Sequence, residues 1–430
     1  MPIRSLLFFV LATTVGSGIA GCGGSTSPIS ATTTTSAARR ELSPPQPHVS
    51  WLQPGLNSEH AADNATEKAL KPGTISNLKM AWSFATGGTI SEPVLTDGTL
   101  AIANSSDGYL YAIDVRSGTQ KWSFQTNASP NNGLTAAAVA GDLVYTGCNI
   151  NDNNEQEGLC AVNEATGVLL WSWYYDCTCK HAAFIATGPV VSGSTVLFGY
   201  FTGGASGKKT VTALNAATGE LLWQTTAGSG SASGGLANSI AAIDNGNVYV
   251  GTDKGLCSLQ LGSGVENWCN GPNDLGIAPA VANGVVFINT LHNGFYALNE
   301  ATGNKIWQYT PATGYSGPWN PPAVDGATVY FTTTQTNGTL YALNAADGSP
   351  IFASGGSGSG ADALSSPSVA NRIVYVTCGA GICAYDATTG ALLVAQGRNG
   401  SANSPPAIAY GRIYNGCGAS SGNSVCMYDL

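Results

Sequence analysis

The sequence predicts an all-β chain folded as an eight-bladed propeller of four-stranded antiparallel blades, and three observations carry that expectation. A strand-turn-strand phrase recurs seven times, a separate hairpin precedes the copies, and the two ends of the chain complement each other. The first copy reads Leu110-Tyr111-Ala112-Ile113-Asp114-Val115-Arg116-Ser117-Gly118, with Trp122 four residues after the glycine. Later copies centre on Gly167 with Trp171, Gly219 with Trp223, Gly264 with Trp268, Gly303 with Trp307, Gly348 with Phe352 and Gly390 with Val394. The glycines lie 39 to 52 residues apart, room for one four-stranded sheet per repeat. Within each copy, alternating apolar residues run up to an Asn, Asp or equivalent, a tight turn follows, and a short strand carries the aromatic.

The upstream hairpins begin near Pro93, Pro189, Pro279, Pro322, Pro367 and Pro406. Each blade is therefore an inner strand beside the proline, two middle strands and an outer strand bearing the Trp. The last copy stops at Cys426-Met427-Tyr428-Asp429-Leu430, before its outer strand, whereas Lys79-Met80-Ala81-Trp82-Ser83-Phe84 matches an outer strand and precedes Pro93. Pairing the two ends completes an eighth blade and leaves no free edge between first and last blades.

The chain divides into residues 1–21, 22–50 and 51–430. Arg4 precedes an apolar run at residues 6–14, too short to span a membrane, and Ile19-Ala20-Gly21 precedes Cys22. This run resembles the lipobox of bacterial lipoproteins, which implies a signal peptide and a lipid-modified Cys22. An ordinary secretory signal cut elsewhere is the alternative, and either reading places the protein outside the cytoplasm. The following segment is rich in Ser, Thr, Pro and Ala and reads as a tether. With 16 basic and 25 acidic residues, the net charge is -9, which offers no field for a nucleic-acid partner.

The recurring Ala-x-Asn/Asp-x-x-Thr-Gly-x-x-x-Trp phrase resembles the repeat of pyrroloquinoline-quinone-type (PQQ-like) β-propellers. The lead-in is similar to the opening of many such chains: Trp51-Leu52-Gln53-Pro54-Gly55, then Asn64, Glu67, Leu70 and residues 75–82. The resemblance covers residues 51–430 and is far more specific for fold than for function. The family includes calcium-dependent quinoprotein dehydrogenases and BamB-like lipoprotein scaffolds that need no cofactor.

Ten cysteines besides Cys22 fit five disulfides in an oxidising compartment. Cys160, Cys257, Cys383 and Cys426 share one repeat position on third strands. Their expected partners are Cys148, Cys269, Cys378 and Cys417, each directly opposite on a neighbouring strand. Cys177 and Cys179 remain, in Asp176-Cys177-Thr178-Cys179-Lys180-His181 between two blades. A strained Cys-x-Cys disulfide, a soft-metal site with His181 and free thiols are the three readings. Quinoprotein dehydrogenases carry a disulfide of adjacent cysteines over the cofactor, and here a threonine intervenes.

Trp82, Trp122, Trp171, Trp223, Trp268 and Trp307 occupy the repeat position and are expected to pack between blades. Trp319, in an inter-blade connection, is a candidate stacking platform for a planar ligand or a rim aromatic. Glu92, before Pro93, is either a channel-facing carboxylate or a solvated residue. Residues 149–157 read as a solvated insertion without calcium-loop spacing. The chain has no covalent-haem, Walker, zincin or Gly-x-Ser-x-Gly motif, and its four histidines are scattered. A quinoprotein's calcium ligands, catalytic Asp and cation do not map onto this chain residue by residue.

The expectation is a lipid-anchored scaffold of the bacterial cell envelope, at the outer membrane, needing no cofactor. It would bind a protein or extracellular ligand on a propeller face and touch the membrane only through its lipid. The alternative is a PQQ- and calcium-dependent alcohol dehydrogenase passing electrons to a separate acceptor, with Trp319, Cys177, Cys179 and Glu92 at its cofactor.

Overall fold

The computed structural model describes residues 23–26, 50–57, 59–127, 136–149, 157–176, 183–185, 187–202, 208–229, 241–252, 254–270, 278–290, 293–311, 321–333, 338–355, 364–379, 381–396, 404–418 and 423–430. Eight antiparallel sheets form a ring, each with four strands from the channel outward. Blade 1 comprises Leu95–Thr96, Leu100–Ser105, Tyr109–Asp114 and Gln120–Gln125. Blades 2 to 7 follow the same plan, with inner strands Ala138–Ala140, Val190–Ser192, Ala242–Asp244, Ala280–Ala282, Ala323–Asp325 and Ser368–Ala370. Blade 8 joins the termini: Ala407–Ala409, Arg412–Cys417 and Ser424–Asp429 come from the C-terminal end, and Lys79–Ala85 supplies the outer strand. The one helix among the described residues is the 3₁₀ turn Ile75–Asn77, so none of them forms a helix long and apolar enough to cross a membrane.

The repeat phrase has a physical reason. Each turn glycine adopts positive φ, between 66° and 73° in blades 1 to 7, and the Trp of the preceding blade packs against it. A Cβ on Gly167 would stand 2.6 Å from Cε3 of Trp122, so both backbone conformation and space demand glycine. The indole N–H then donates to the same turn: Trp122 Nε1 to Glu164 O at 2.7 Å, Trp223 Nε1 to Leu261 O at 2.8 Å, Trp307 Nε1 to Ala345 O at 2.9 Å. Trp82 closes the ring by packing on Gly118 and donating to Val115 O at 2.9 Å.

The exceptions obey the same logic. Blade 8 has no turn between its third and outer strands, because those strands are the two chain ends. Blade 7 therefore has no following glycine to receive an indole, and carries Val394 at the Trp position. In blade 6, Phe352 packs on Gly390 without an N–H, and the turn carbonyl that an indole would reach, Ala387 O, accepts from the Tyr330 hydroxyl at 3.0 Å.

Among the described residues four disulfides are present: Cys148–Cys160, Cys257–Cys269, Cys378–Cys383 and Cys417–Cys426. Cys257 and Cys269 are directly opposite in register. The other three pairs correct the expectation of opposed residues: Cys148 lies opposite Gly158, Cys378 opposite Gly381 and Cys417 opposite Ser424. Each bridge is diagonal, two residues off, with Cα atoms 5.8 to 5.9 Å apart. The twist of the strand ends shortens one diagonal and allows the bond.

Two further strands lie outside the repeat plan. Ala183–Ile185 pairs with the second strand of blade 3. Within the segment read as a tether, Gly23–Thr26 pairs with the outer strand of blade 2. Glu157, expected in a solvated insertion, is buried.

Candidate functional site

The ring has two unlike faces. One, here the turn face, carries the two- and three-residue turns from inner to second strand and the glycine turns of the repeat. The other, the loop face, carries the connections between blades and between second and third strands. The first functional question is what the channel between these faces contains.

Residues 51–57 and 59–64 form a strap that crosses the channel. An inner strand offers an unpaired backbone edge to the axis, and buried N–H and C=O groups need partners. The strap supplies them around the ring. Trp51 exchanges two backbone bonds with Thr96 of blade 1, at 2.8 and 2.7 Å. Val139 N–H of blade 2 donates to Leu52 O at 2.7 Å. In blade 3 the Gln53 side chain imitates a strand, donating to Val191 O at 3.0 Å and accepting from Val191 N–H at 2.8 Å. Val281 of blade 5 donates to Glu59 O, Val324 of blade 6 to Ala61 O and Val369 of blade 7 to Ala62 O, at 2.8, 2.7 and 2.8 Å. Asn64 Nδ2 reaches Ile408 O of blade 8 at 2.7 Å.

The strap leaves over the turn face. Glu67 holds it there: its carboxylate accepts from Ala69 N–H and Gly411 N–H, at 2.6 and 2.8 Å. Asn371 Nδ2 donates to Leu70 O at 2.7 Å, and Leu70 and Ile75 are buried. His60 sits in the strap 1% exposed, and burial lowers its pKa to about 4. Burial and then the nearby Asp325 raise Asp63 to about 7, against the opposing pull of Lys68. Glu164 on the same face is also raised to about 7, by burial and then by Asp97 and Asp142.

Above the strap the inner strands carry small and aliphatic side chains: Ala138, Val139, Val190, Val191, Ala280, Val281, Ala323, Val324, Val369, Ala407 and Ile408 are buried. The polar groups near the loop-face ends bond from blade to blade. Asn104 Nδ2 donates to Thr146 Oγ1 at 3.1 Å, Thr332 Oγ1 to Ser365 O at 3.0 Å, and Thr377 Oγ1 to Ser404 O at 2.6 Å.

Glu92 lies in the connection from the outer strand of blade 8 to the inner strand of blade 1. It is half-buried, its backbone carbonyl accepts from Ser404 Oγ at 2.7 Å, and burial raises its carboxyl to about 7. No neighbouring charge among the described residues contributes to that shift. Cys257, Glu266 and Cys269 lie close enough together to suggest a metal site, but the two sulfurs are bonded to each other and offer no thiolate.

Trp319, Cys177, Cys179, His181 and Cys22 lie outside the described residues, so Glu92 is the one expected cofactor residue placed by the structure. Sequence reasoning missed the strap. Its signal was the lead-in itself, where Trp51, Asn64, Glu67 and Leu70 stood out before they had a role.

The family model described as outer membrane protein assembly factor BamB matches residues 74–206, 207–352 and 302–376, more than half of the chain. Tetrathionate hydrolase of Acidithiobacillus ferrooxidans is 26% identical over 275 residues, covering 60% of this chain and 52% of the enzyme. The chain thus spans about half the length of that relative. Among solved structures, quinohemoprotein alcohol dehydrogenase from Comamonas testosteroni aligns with a TM-score of 0.71 at 16% identity, over 88% of this chain and 80% of the enzyme. BamB from Moraxella catarrhalis aligns with a TM-score of 0.58 at 14% identity, over 82% of this chain and all of that one. At these identities the structural likenesses speak to the fold alone. The family match, the repeat and the eight blades agree: the chain belongs to the BamB family of PQQ-like β-propellers.

Proposed function

We propose that this chain is a binding scaffold of the cell envelope, held by a lipid on Cys22, which presents the loop face of a rigid ring to a protein or extracellular ligand. The carrying observation is the channel. Its inner-strand edges are bonded to the strap in seven blades, its walls are small and aliphatic, and its polar side chains bond between blades. The backbone edges of such an interior are committed to holding the ring together, while Trp51 Nε1, His60 Nε2 and Ser105 Oγ are buried without a hydrogen-bond partner among the described residues. Recognition then falls to the connections of the loop face, where rigid folds commonly place binding residues. The four disulfides fit an exported protein.

The quinoprotein reading receives less support, because burial alone, and no charged neighbour among the described residues, raises the Glu92 carboxyl. The test is a titration of the folded, oxidised protein with PQQ and calcium, followed by absorbance and by dye-linked alcohol oxidation. The scaffold reading expects no saturable binding up to about millimolar cofactor, the weak end of specific affinity. Saturable binding with turnover would replace it by the enzyme reading.

A further inference from the structure

We infer that the outer edge of blade 2 is a strand-docking site whose occupant is the chain's own segment Gly23–Thr26. The pairing is antiparallel, with Gly23 opposite Asp176, Gly24 opposite Tyr175, Ser25 opposite Tyr174 and Thr26 opposite Trp173. It makes blade 2 five-stranded.

The outer edges explain why this blade is chosen. An exposed edge offers a row of free backbone groups, and proteins blunt such edges with charges, prolines, bulges or short length. Blades 1, 4, 5 and 8 carry Lys121, Glu266, Lys305 and Lys79 on their outer strands, and that of blade 6 begins at Pro350. Blade 7 offers only the five residues Leu392–Gln396. The outer strand of blade 3, Leu221–Ser229, is long and uncharged, but a second register break beside Ala227 interrupts it. The outer strand of blade 2, Leu169–Asp176, pairs with its own blade from Leu169 to Tyr174; these six residues carry no charge and no proline, and their one register shift, beside Leu169, is shared by the other outer strands. Its last two residues, Tyr175 and Asp176, pair with Gly24 and Gly23.

Docking needs backbone groups only, so a segment of Gly, Ser and Thr with no apolar side chain to bury can still be held.

The direction of the added strand has a consequence for attachment. Gly23 lies at the loop-face end of blade 2, so the chain reaches this edge from the loop-face side. If the proposed lipid on Cys22 is present, it tethers the ring by the rim of blade 2 rather than from beneath the strap. That consequence rests on the lipoprotein reading; the docking does not.

The test uses the exported chain with Cys22→Ser, so that lipidation plays no part in the outcome. Amide exchange is compared between this protein and one that also carries Gly24→Pro and Ser25→Pro. Because the two substitutions are adjacent, one removed N–H faces blade 2 whichever way the strand alternates. The expected result is exchange at residues 173–176 about tenfold faster in the proline variant, as an opened edge pair requires, with the blade 3 outer strand unchanged. Equal rates at residues 173–176 would overturn the proposal. A second measurement keeps the chain otherwise native: Ser25→Cys with Tyr174→Cys should form an intramolecular disulfide in higher yield than the off-register pair Ser25→Cys with Ser172→Cys. Equal yields, or no bond in either, would contradict the register.

Discussion

On the turn face backbone and indole hydrogen bonds join one blade to the next; on the loop face disulfides staple strands within single blades. The strap and the Trp-Gly contacts all work at the turn face, where two- and three-residue turns leave no length for variation. All four disulfides join strands at the loop-face ends of blades 2, 4, 7 and 8. The division is physical. Short turns and a strap close one face cooperatively, whereas each disulfide pins two strands of a single blade to each other. A face built this way can change its loops without unzipping the ring, which suits it to recognition.

The largest loss of stability is expected at the turn face. Trp171→Ala removes a buried indole, its packing on Gly219 and its bond to Ala216 O, and should cost about 3–5 kcal/mol in chemical denaturation. A loss below about 1 kcal/mol would mean that the indole is not the joint between blades 2 and 3. Next comes the loop face. Replacing Cys417 and Cys426 together by Ser should cost about 2 kcal/mol, because the bridge spans only 9 residues of sequence and restrains a small loop. The strap bonds should be altered little, and unchanged exchange at Val139 and Val281 is the check. Asn64→Ala removes a buried amide donor to Ile408 O and should cost about 1–2 kcal/mol, with blade 8 loosened first.

The smallest effect is one of pH. Asp63 has its folded pKa raised from 3.8 to about 7, so the folded chain holds the proton more tightly than the unfolded chain. That contribution is harmless below about pH 4, and stability falls as pH rises through the window between 4 and 7. His60 acts oppositely, since burial lowers its pKa from 6.5 to about 4, and its contribution is lost as pH falls through that window. The difference between Asp63→Asn and the parent isolates the first term. The variant should match the parent near pH 4 and exceed it near pH 8, by about 1 kcal/mol after allowance for screening at a partly exposed site. A constant difference across that range would show that Asp63 titrates normally.

The blades were legible because their signals are periodic and local. Gly118 and Trp122, repeated with a spacing of four, encode a contact between neighbouring blades, and even the absence of an indole at Val394 matches the one blade boundary that lacks a glycine turn. The strap was illegible for the opposite reason. Its partners are backbone groups seven blades apart, its residues follow no strand period, and Gln53 acts by lending its side-chain amide as if it were backbone. The diagonal disulfides depend on sheet twist, which sequence spacing does not encode. The docking of Gly23–Thr26 depends on the acceptor edge, not on the composition of the segment that docks. Of the expected cofactor residues only Glu92 lies among the described residues, and its role turns on its neighbours rather than on its own motif.

The central claim is that the strap closes the channel by bonding the inner strands. Amide exchange at Val139, Val281, Val324 and Val369 tests it directly, because each of these N–H groups points to the axis and donates to a strap carbonyl. The account predicts that all four exchange as slowly as the middle-strand amides of their own blades. Exchange at the rate of a free sheet edge, with the rest of each blade still protected, would show that the channel is open.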